Sequence, residues 1–415
     1  MKSSPIDFHI SPDVDAVPLL SAGSYSSLPR ELNRNSSVQS FIEEDLQQHS
    51  KSKTVVLLLK SFIGTGVLFL PKTFHDAGLI PAIFSMIFTA ILSFFGVKIL
   101  LKLTLIAPGS YWQIAQEIGG SRMKLFVMVM LSMLQCGLVM AYTSFVAFNF
   151  TELARKYAFV VIDPIWFVLM VTILMIPVCF STKLKNFSII ASLGNIFILI
   201  TLSSVLYFAF AEIQRDPKEL KYFGEWQSTL KFMGTSVFAF EGIGLVVPLA
   251  QTLENSPSFT HIMYLTTSFI LAMYMLLGLV TSIGFGDDVK PIIFENLMGE
   301  QIVACLIFFY NCSVLATIPL TVYPVFELVD EFWTLKVNET RLLKVVILST
   351  LCGSSYVFYA HLDILVALLG SFCCIPLGII IPGLLGYKVD KSWTNLIVVV
   401  CGTVLVFMSL VVLFI

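Results

Sequence analysis

One carboxylate lies deep in an apolar stretch of the sequence, beside a pair of glycines. Glu241 falls within the apolar run 228–250, directly before Gly242 and Gly244. A charged group at the centre of a membrane costs at least ~2.5 kcal/mol, so a carboxyl there favours its neutral form. Glu241 is therefore a candidate proton-coupling residue. The alternative is that Glu241 caps backbone amides freed at a helix break, and the two roles can coexist.

A second apolar run repeats the glycine pattern found beside Glu241. Residues 62–71 read Phe-Ile-Gly-Thr-Gly-Val-Leu-Phe-Leu-Pro, and residues 240–248 read Phe-Glu-Gly-Ile-Gly-Leu-Val-Val-Pro. Glycine weakens a helix and proline removes a backbone donor, so each of these glycine runs predicts an interrupted helix. In a membrane, unwound backbone is tolerated only where it is buried in protein or lines a cavity. The alternative is that the glycines serve close helix packing.

The two predicted interruptions would expose opposite backbone groups. A break at the first run would free the amides of residues 65–67 at the start of a half-helix, which suits a carboxylate. A break at the second run would leave carbonyl groups that suit an ammonium, so the pair predicts an α-amino acid ligand. For Phe238 and Phe240, ordinary helix packing is the alternative role. The predicted binding residues are Gly64, Thr65, Gly66, Val67, Phe238, Phe240, Gly242 and Gly244.

The composition shows which solvent surrounds these segments. Of the 415 residues, 57% are hydrophobic and 13% are charged, about half the charged share of a soluble protein. So much apolar surface cannot be hidden from water, which predicts an all-α polytopic membrane protein. The net charge of −2 excludes a nucleic-acid binder, which would need a basic face. The cysteines have no zinc-site spacing, so neither a metal nor another cofactor is predicted.

Eleven apolar segments are long enough to cross a bilayer, which takes about 20 residues in a helix. The glycine runs fall in the first and sixth segments. Spans 1–5 and 6–10 are therefore predicted to form two repeats, about 54–211 and 228–386, with an extra helix at about 393–415. Interrupted segments at matching positions of two halves indicate the substrate site of a transporter. The predicted spans are 54–76, 80–105, 124–149, 162–180, 187–211, 228–250, 262–285, 301–328, 342–359, 362–386 and 393–415.

The first 50 residues differ from the rest of the chain. Residues 1–50 are rich in Ser and Pro and hold no long apolar run, which predicts a disordered tail before a transmembrane domain at 51–415. Lys and Arg are more frequent in the segments on the tail's side, which favours a cytoplasmic N-terminus and a lumenal C-terminus. Asp15, Leu19 and Leu20 match an acidic dileucine sorting signal, which adaptor proteins read on cargo for vacuoles or lysosomes. A chance match is the alternative.

Lys60 precedes the first glycine run by one helical turn. It is a candidate gate residue, with Glu327 or Asp330 as guessed partners. The alternative is that its aliphatic stem lets the ammonium reach the cytoplasmic face. His75 lies near a span end, where an interfacial role is more common than a chemical one.

The glycine runs and their flanks, residues 60–71 and 238–244, resemble the amino acid/auxin permease family. The resemblance is strongest to its fungal vacuolar amino acid exporters and animal proton-coupled amino acid transporters, and it covers about 52–386. It implies eleven helices on the inverted five-plus-five repeat of the sodium-coupled leucine transporters. It also implies proton-driven transport of neutral amino acids and, for the fungal branch, export from the vacuole to the cytoplasm. Further matches are residues 110–120, 286–289 and 319–324.

Two other functions fit parts of the sequence. An amino acid sensor at the same membrane would use the same pocket, but the tail has no docking motif beyond the dileucine, which favours transport. An intramembrane aspartyl protease would use the Gly-x-Gly-Asp at 284–287, but it needs a second carboxylate and the chain has no Tyr-Asp. The sequence therefore predicts a transporter and not an enzyme. Its expected partners are an amino acid, the lipid bilayer and a sorting adaptor for the tail.

Overall fold

The computed structural model describes residues 65–177, 185–240, 257–297, 301–332 and 336–413. Every regular element in these ranges is helical. The predictions for Asp15, Leu19, Leu20, Lys60, Gly64, Glu241, Gly242 and Gly244 lie outside the described residues. The α-helices are α1 (Leu70–Ala77), α2 (Leu79–Ile106), α3 (Tyr111–Gly119), α4 (Ser121–Tyr157), α5 (Pro164–Met175), α6 (Lys185–Arg215), α7 (Trp226–Ala239), α8 (Pro257–Phe285), α9 (Phe294–Leu297), α10 (Gln301–Phe332), α11 (Val337–Ser354), α12 (Leu362–Leu369), α13 (Ile381–Asp390) and α14 (Trp393–Leu413).

Eight helical stretches among the described residues are long and apolar enough to cross a membrane. They confirm the all-α polytopic class, while the count of eleven spans and the inverted repeat stay predictions. The predicted span 162–180 contains only the 12-residue α5. Helix α5 ends at Met175, two residues before Pro177, which cannot donate a backbone hydrogen bond. The eight stretches are Leu79–Ile106, Ser121–Tyr157, Ile196–Arg215, His261–Asp288, Val303–Asp330, Val337–Phe358, Leu362–Asp390 and Trp393–Val411.

Helix α4 is longer than the span predicted at 124–149. It has 37 residues, begins after Gly120, whose φ is 87°, and ends in a charged turn that contains Glu152 and Arg155. At about 1.5 Å per residue such a helix is longer than the apolar thickness of a bilayer. It packs along α10, which also packs against α6. Helix α4 therefore offers one continuous face that leads from the apolar interior to a charged end.

The short helix α3 was not predicted, because nine residues are too few for a span. Its first residue, Tyr111, donates a hydrogen bond from the hydroxyl to the carbonyl oxygen of Leu377, at 2.7 Å. Leu377 belongs to the π-helical segment Pro376–Ile380, which follows a second π-helical segment, Gly370–Cys374. The two segments join α12 to α13 within one membrane-spanning stretch.

The first glycine run coincides with a change of helix type, and α7 ends where the second run begins. In the first run a 3-10 segment, Thr65–Leu68, is followed by a turn at Phe69 and then by α1, with Pro71 in its first turn. Proline is tolerated there because the first amides of a helix have no intrahelical partner. In the second run α7 ends at Ala239, and Phe240 leaves the helix with φ −91° and ψ 10°.

Candidate functional site

Gly66 of the first glycine run packs against the end of α7, directly before the second run. A Cβ atom built on Gly66 would lie 2.8 Å from Cδ1 of Phe238 and 3.5 Å from Cα of Ala239. Any larger residue would therefore displace the Phe238 ring. Val67 is fully buried, and Phe238 and Phe240 are 7% and 3% exposed. The structure thus brings the 3-10 segment of the first run directly against the end of α7.

Tyr274 of α8 closes the carbonyl end of α7. Its hydroxyl donates a hydrogen bond to the carbonyl oxygen of Ala239, at 3.3 Å, and its ring centroid lies 5.6 Å from that of Phe240. The last carbonyls of a helix have no intrahelical partner, so this contact satisfies one of them. The sequence analysis missed Tyr274, because a single tyrosine in the apolar run of α8 carries no motif.

Four aromatic rings pack next to the 3-10 segment, and we call them the aromatic cluster: Phe69, Phe145, Phe294 and Tyr310. The Phe145 centroid lies 6.2 Å from Phe69 and 5.6 Å from Tyr310, and the Phe294 centroid lies 5.4 Å from Tyr310. These three contacts are edge-to-face, the arrangement that the ring quadrupoles favour. Each of the four side chains is at most 2% exposed. The cluster therefore forms an apolar wall beside the 3-10 segment.

The connection between α8 and α10 supplies one of these rings. The amide of Ile293, next to Phe294, donates a hydrogen bond to the carbonyl oxygen of Leu68 in the 3-10 segment, at 3.3 Å. Val289 and Ile292 are also buried, although this stretch belongs to no predicted span. The connection therefore enters the protein interior and packs against the interrupted helix.

Three residues of α4 share one face at helical spacing and change from apolar to charged: Phe145, Asn149 and Glu152. The Asn149 Nδ2 donates a hydrogen bond to Oδ1 of Asn311, at 3.1 Å, and both side chains are fully buried. The remaining amide atoms, Oδ1 of Asn149 and Nδ2 of Asn311, have no hydrogen-bond partner among the described residues. Asn311 thereby joins α10 to α4.

The outer end of this face is charged. Arg155 donates hydrogen bonds to Glu152, whose side chain is 15% exposed. Burial, and then the nearby charge of Glu152, raise the pKa of Glu295 above its ordinary value. A hydrogen bond from the backbone of Ile292 and the charges of Lys290 and Arg155 act in the opposite direction. Two carboxyl groups and one guanidinium therefore meet where α4 and α9 approach each other.

Two polar contacts involve residues near the predicted span ends. His75, expected at an interface, is 3% exposed at its side chain, and its Nε2 lies 3.0 Å from Oδ1 of Asp287. Asp287, the aspartate of the protease-like motif, thus pairs with a histidine. Asp330, a guessed partner of Lys60, pairs with Lys344 of α11 at 2.6 Å. Among the described residues no group of three or more His, Cys, Asp or Glu could hold a metal ion.

The sequence is similar to amino acid transporters. The family described as transmembrane amino acid transporter protein matches residues 47–415. Vacuolar amino acid transporter 3 of Schizosaccharomyces pombe is 27% identical over 360 residues, which cover 82% of this chain and 53% of that protein. Vacuolar amino acid transporter 4 of Saccharomyces cerevisiae is 28% identical over 81% of this chain and 52% of its own. The chain spans about half the length of these fungal relatives. Amino acid transporter AVT3A of Arabidopsis thaliana is 27% identical over 84% of both chains.

Two solved structures share the fold. The inward-facing conformation of Mhp1 aligns with a TM-score of 0.59 over 87% of both chains, at 12% identity. MhsT in complex with L-phenylalanine aligns with a TM-score of 0.50 over 89% of this chain and 99% of that chain, at 13% identity. These alignments place the described helices in the leucine-transporter-like fold.

Proposed function

The chain belongs to the transmembrane amino acid transporter family, and on that premise we propose that it is a secondary active transporter of neutral amino acids. The contact between the first glycine run and the end of α7 carries this proposal, because Gly66 packs directly on Phe238 and Ala239. Interrupted helices that meet inside a membrane protein offer backbone donors and acceptors to a small zwitterion. The named relatives are transporters and the family is not enzymatic, so the chain is not an enzyme.

The backbone recognises the two charges that all α-amino acids share. The amides of residues 65–67 bind the substrate carboxylate, and carbonyl groups beyond the end of α7 bind its ammonium. Gly64, Gly66, Gly242 and Gly244 have no Cβ and let the ligand approach the main chain. Phe238 and Phe240 form apolar walls, which suits neutral side chains.

Coupling to a proton gradient is assigned to Glu241, which follows Phe240 at the end of α7. A proton taken from an acidic lumen neutralises this carboxyl, and loss of a buried charge favours the rearrangement that opens the site to the cytoplasm. At near-neutral pH the proton leaves and the substrate follows. The proposal requires a pKa for Glu241 between the pH of the lumen and that of the cytoplasm. Lys60, one turn before the first run, is proposed as a gate residue on the cytoplasmic side.

The proposed location is the vacuolar or lysosome-like membrane, with export from lumen to cytoplasm. The names of the two fungal relatives support it, since both are vacuolar amino acid transporters. The N-terminus is then cytoplasmic, the C-terminus is lumenal, and Asp15, Leu19 and Leu20 bind a sorting adaptor. The same names give the sensor alternative no support, so we do not pursue it.

Uptake into proteoliposomes tests the proposal. Purified protein is reconstituted without sodium, and uptake of radiolabelled neutral amino acids is followed with and without an imposed pH gradient. Glu241→Gln runs beside the wild type. Glu219→Gln, at an exposed loop carboxylate, is the matched control. Counterflow exchange, which needs no gradient, reports in each variant whether the site still binds substrate.

We expect gradient-driven uptake in the wild type and in Glu219→Gln. Glu241→Gln should lose the gradient-driven part and keep exchange. Gradient-driven uptake that survives in Glu241→Gln would show that Glu241 does not carry the coupled proton. Glu241 would then act as a helix cap. Absence of both uptake and exchange in the wild type would overturn the transporter proposal itself.

A further inference from the structure

Tyr310 of α10 has a buried hydroxyl without a hydrogen-bond partner among the described residues. The side chain is 1% exposed, and its oxygen accepts or donates no hydrogen bond among the described residues. An unpaired hydroxyl in an apolar interior is costly, because it loses its bonds to water and gains none. Such a group indicates a place where another molecule supplies the missing bond.

The Tyr310 ring packs among residues that border the 3-10 segment of the first glycine run. It lies edge-to-face on Phe145 and on Phe294, which fixes its position within the aromatic cluster. The residue before Phe294, Ile293, donates a hydrogen bond to the carbonyl oxygen of Leu68, so the neighbours of Tyr310 contact that segment directly.

The neighbouring contacts limit which partner the Tyr310 hydroxyl can take. Tyr274 already serves the carbonyl side of the site, where the ammonium is proposed to bind. On the other side, the ring contacts run from Tyr310 through Phe145 to Phe69, the residue that follows the 3-10 segment. A phenol that donates to a carboxylate makes a charge-assisted hydrogen bond, which is shorter and stronger than a neutral one.

We propose that the Tyr310 hydroxyl donates a hydrogen bond to the carboxylate of the amino acid substrate. This inference rests on the proposed function and adds a side-chain donor to a site otherwise built from backbone. It makes Tyr310 a specificity-determining residue, because a ligand without a carboxylate leaves the buried hydroxyl unpaired. The ring of Tyr310 packs in the aromatic cluster, while its hydroxyl recognises the carboxylate of the ligand.

The test is the substitution Tyr310→Phe, which keeps the ring contacts and removes only the hydroxyl. Counterflow exchange in proteoliposomes at about pH 6 measures half-saturation by L-leucine and inhibition by L-leucinamide. The α-amino group of each ligand is protonated at this pH, so the two differ in charge only at the carboxylate, which leucinamide replaces by a neutral amide. If the wild type does not exchange leucine, its best neutral substrate and the matching carboxamide replace this pair. Tyr356→Phe is the control, because Tyr356 is 43% exposed.

We expect Tyr310→Phe to raise the half-saturation concentration of leucine by roughly tenfold to a hundredfold, the loss of one hydrogen bond to a charged group. Inhibition by leucinamide should stay at its wild-type value, and Tyr356→Phe should behave as wild type for both ligands. Equal weakening of leucine and leucinamide would overturn the carboxylate assignment, and so would unchanged leucine affinity. A wild type that exchanges no amino acid at all would instead overturn the proposed function.

Discussion

The inner and outer ends of one face of α4 are held to their neighbours by different kinds of interaction. At the inner end Phe145 is 1% exposed and touches other rings of the aromatic cluster. At the outer end Glu152 receives hydrogen bonds from Arg155, whose side chain is 62% exposed. Asn149 lies between them and bonds Asn311 without access to solvent. The same helix therefore meets its neighbours first by apolar packing, then by a neutral polar pair, then by charge.

This difference implies a graded cost for breaking each contact. A cavity in a packed interior cannot be filled by water, so its cost is large. A broken buried amide pair leaves one polar group unpaired. A broken ion pair near solvent is replaced by water and screened by salt. Stability should therefore depend most on the inner contact and least on the outer one.

The substitution Phe145→Ala tests the inner end and should have the largest effect on stability. It removes a ring that touches three others, and truncation of a buried Phe costs about 3–5 kcal/mol. Thermal unfolding of the purified protein in detergent measures the change. Phe84→Ala is the control, because Phe84 is 72% exposed and should lose little. Similar unfolding temperatures for the two variants would mean that the aromatic cluster is not closely packed.

The asparagine pair should give an intermediate effect. Asn311→Leu leaves the Asn149 amide without its partner, at a cost of about 1–3 kcal/mol. The double variant Asn149→Leu/Asn311→Leu should recover part of that loss, because replacing both polar partners by apolar groups can be nearly neutral. The unfolding temperatures of both single variants and the double variant measure the coupling. Additive losses would show that the two amides do not interact.

The outer end should show the smallest effect, and one that depends on pH. Because the pKa of Glu295 is raised in the folded state, its contribution to stability is present at low pH and is lost as pH rises through that pKa. Between acidic and neutral pH the unfolding temperature of Glu295→Gln should therefore fall less than that of the wild type. The corresponding difference in the free energy of unfolding is less than about 1 kcal/mol. Glu219→Gln, at an exposed position, should keep the wild-type pH dependence. A wild-type slope in Glu295→Gln would contradict the raised pKa.

Some of this arrangement could be predicted from the sequence. The repeated glycine pattern predicted interruptions in two helices, and the described part of the first run is a 3-10 segment that packs on Phe238. Tyr274 and Tyr310 could not be predicted, since isolated tyrosines in apolar runs look like ordinary packing residues. Phe294 lies in a connection between spans, where apolar residues are commonly exposed. Its role depends on a hydrogen bond from Ile293 to the distant 3-10 segment.

The partners of charged residues were also beyond sequence reasoning. The pair of His75 with Asp287 joins positions far apart in the chain, and no periodic pattern links them. Asp330 pairs with Lys344 on the next helix, a contact that its place on a span did not predict. Helical spacing predicts neighbours on one helix, whereas contacts between helices depend on packing that a single sequence does not encode locally.

We infer above all that the contact between the first glycine run and the end of α7 forms the substrate site. The most direct test compares Gly66→Val with Gly353→Val in counterflow exchange of a neutral amino acid. A side chain at position 66 meets the Phe238 ring, while Gly353 in α11 has open space around its Cβ position. We predict that Gly66→Val loses exchange while it stays folded by size-exclusion chromatography, and that Gly353→Val exchanges like the wild type. Wild-type exchange in Gly66→Val would contradict the claim and place the substrate away from this contact.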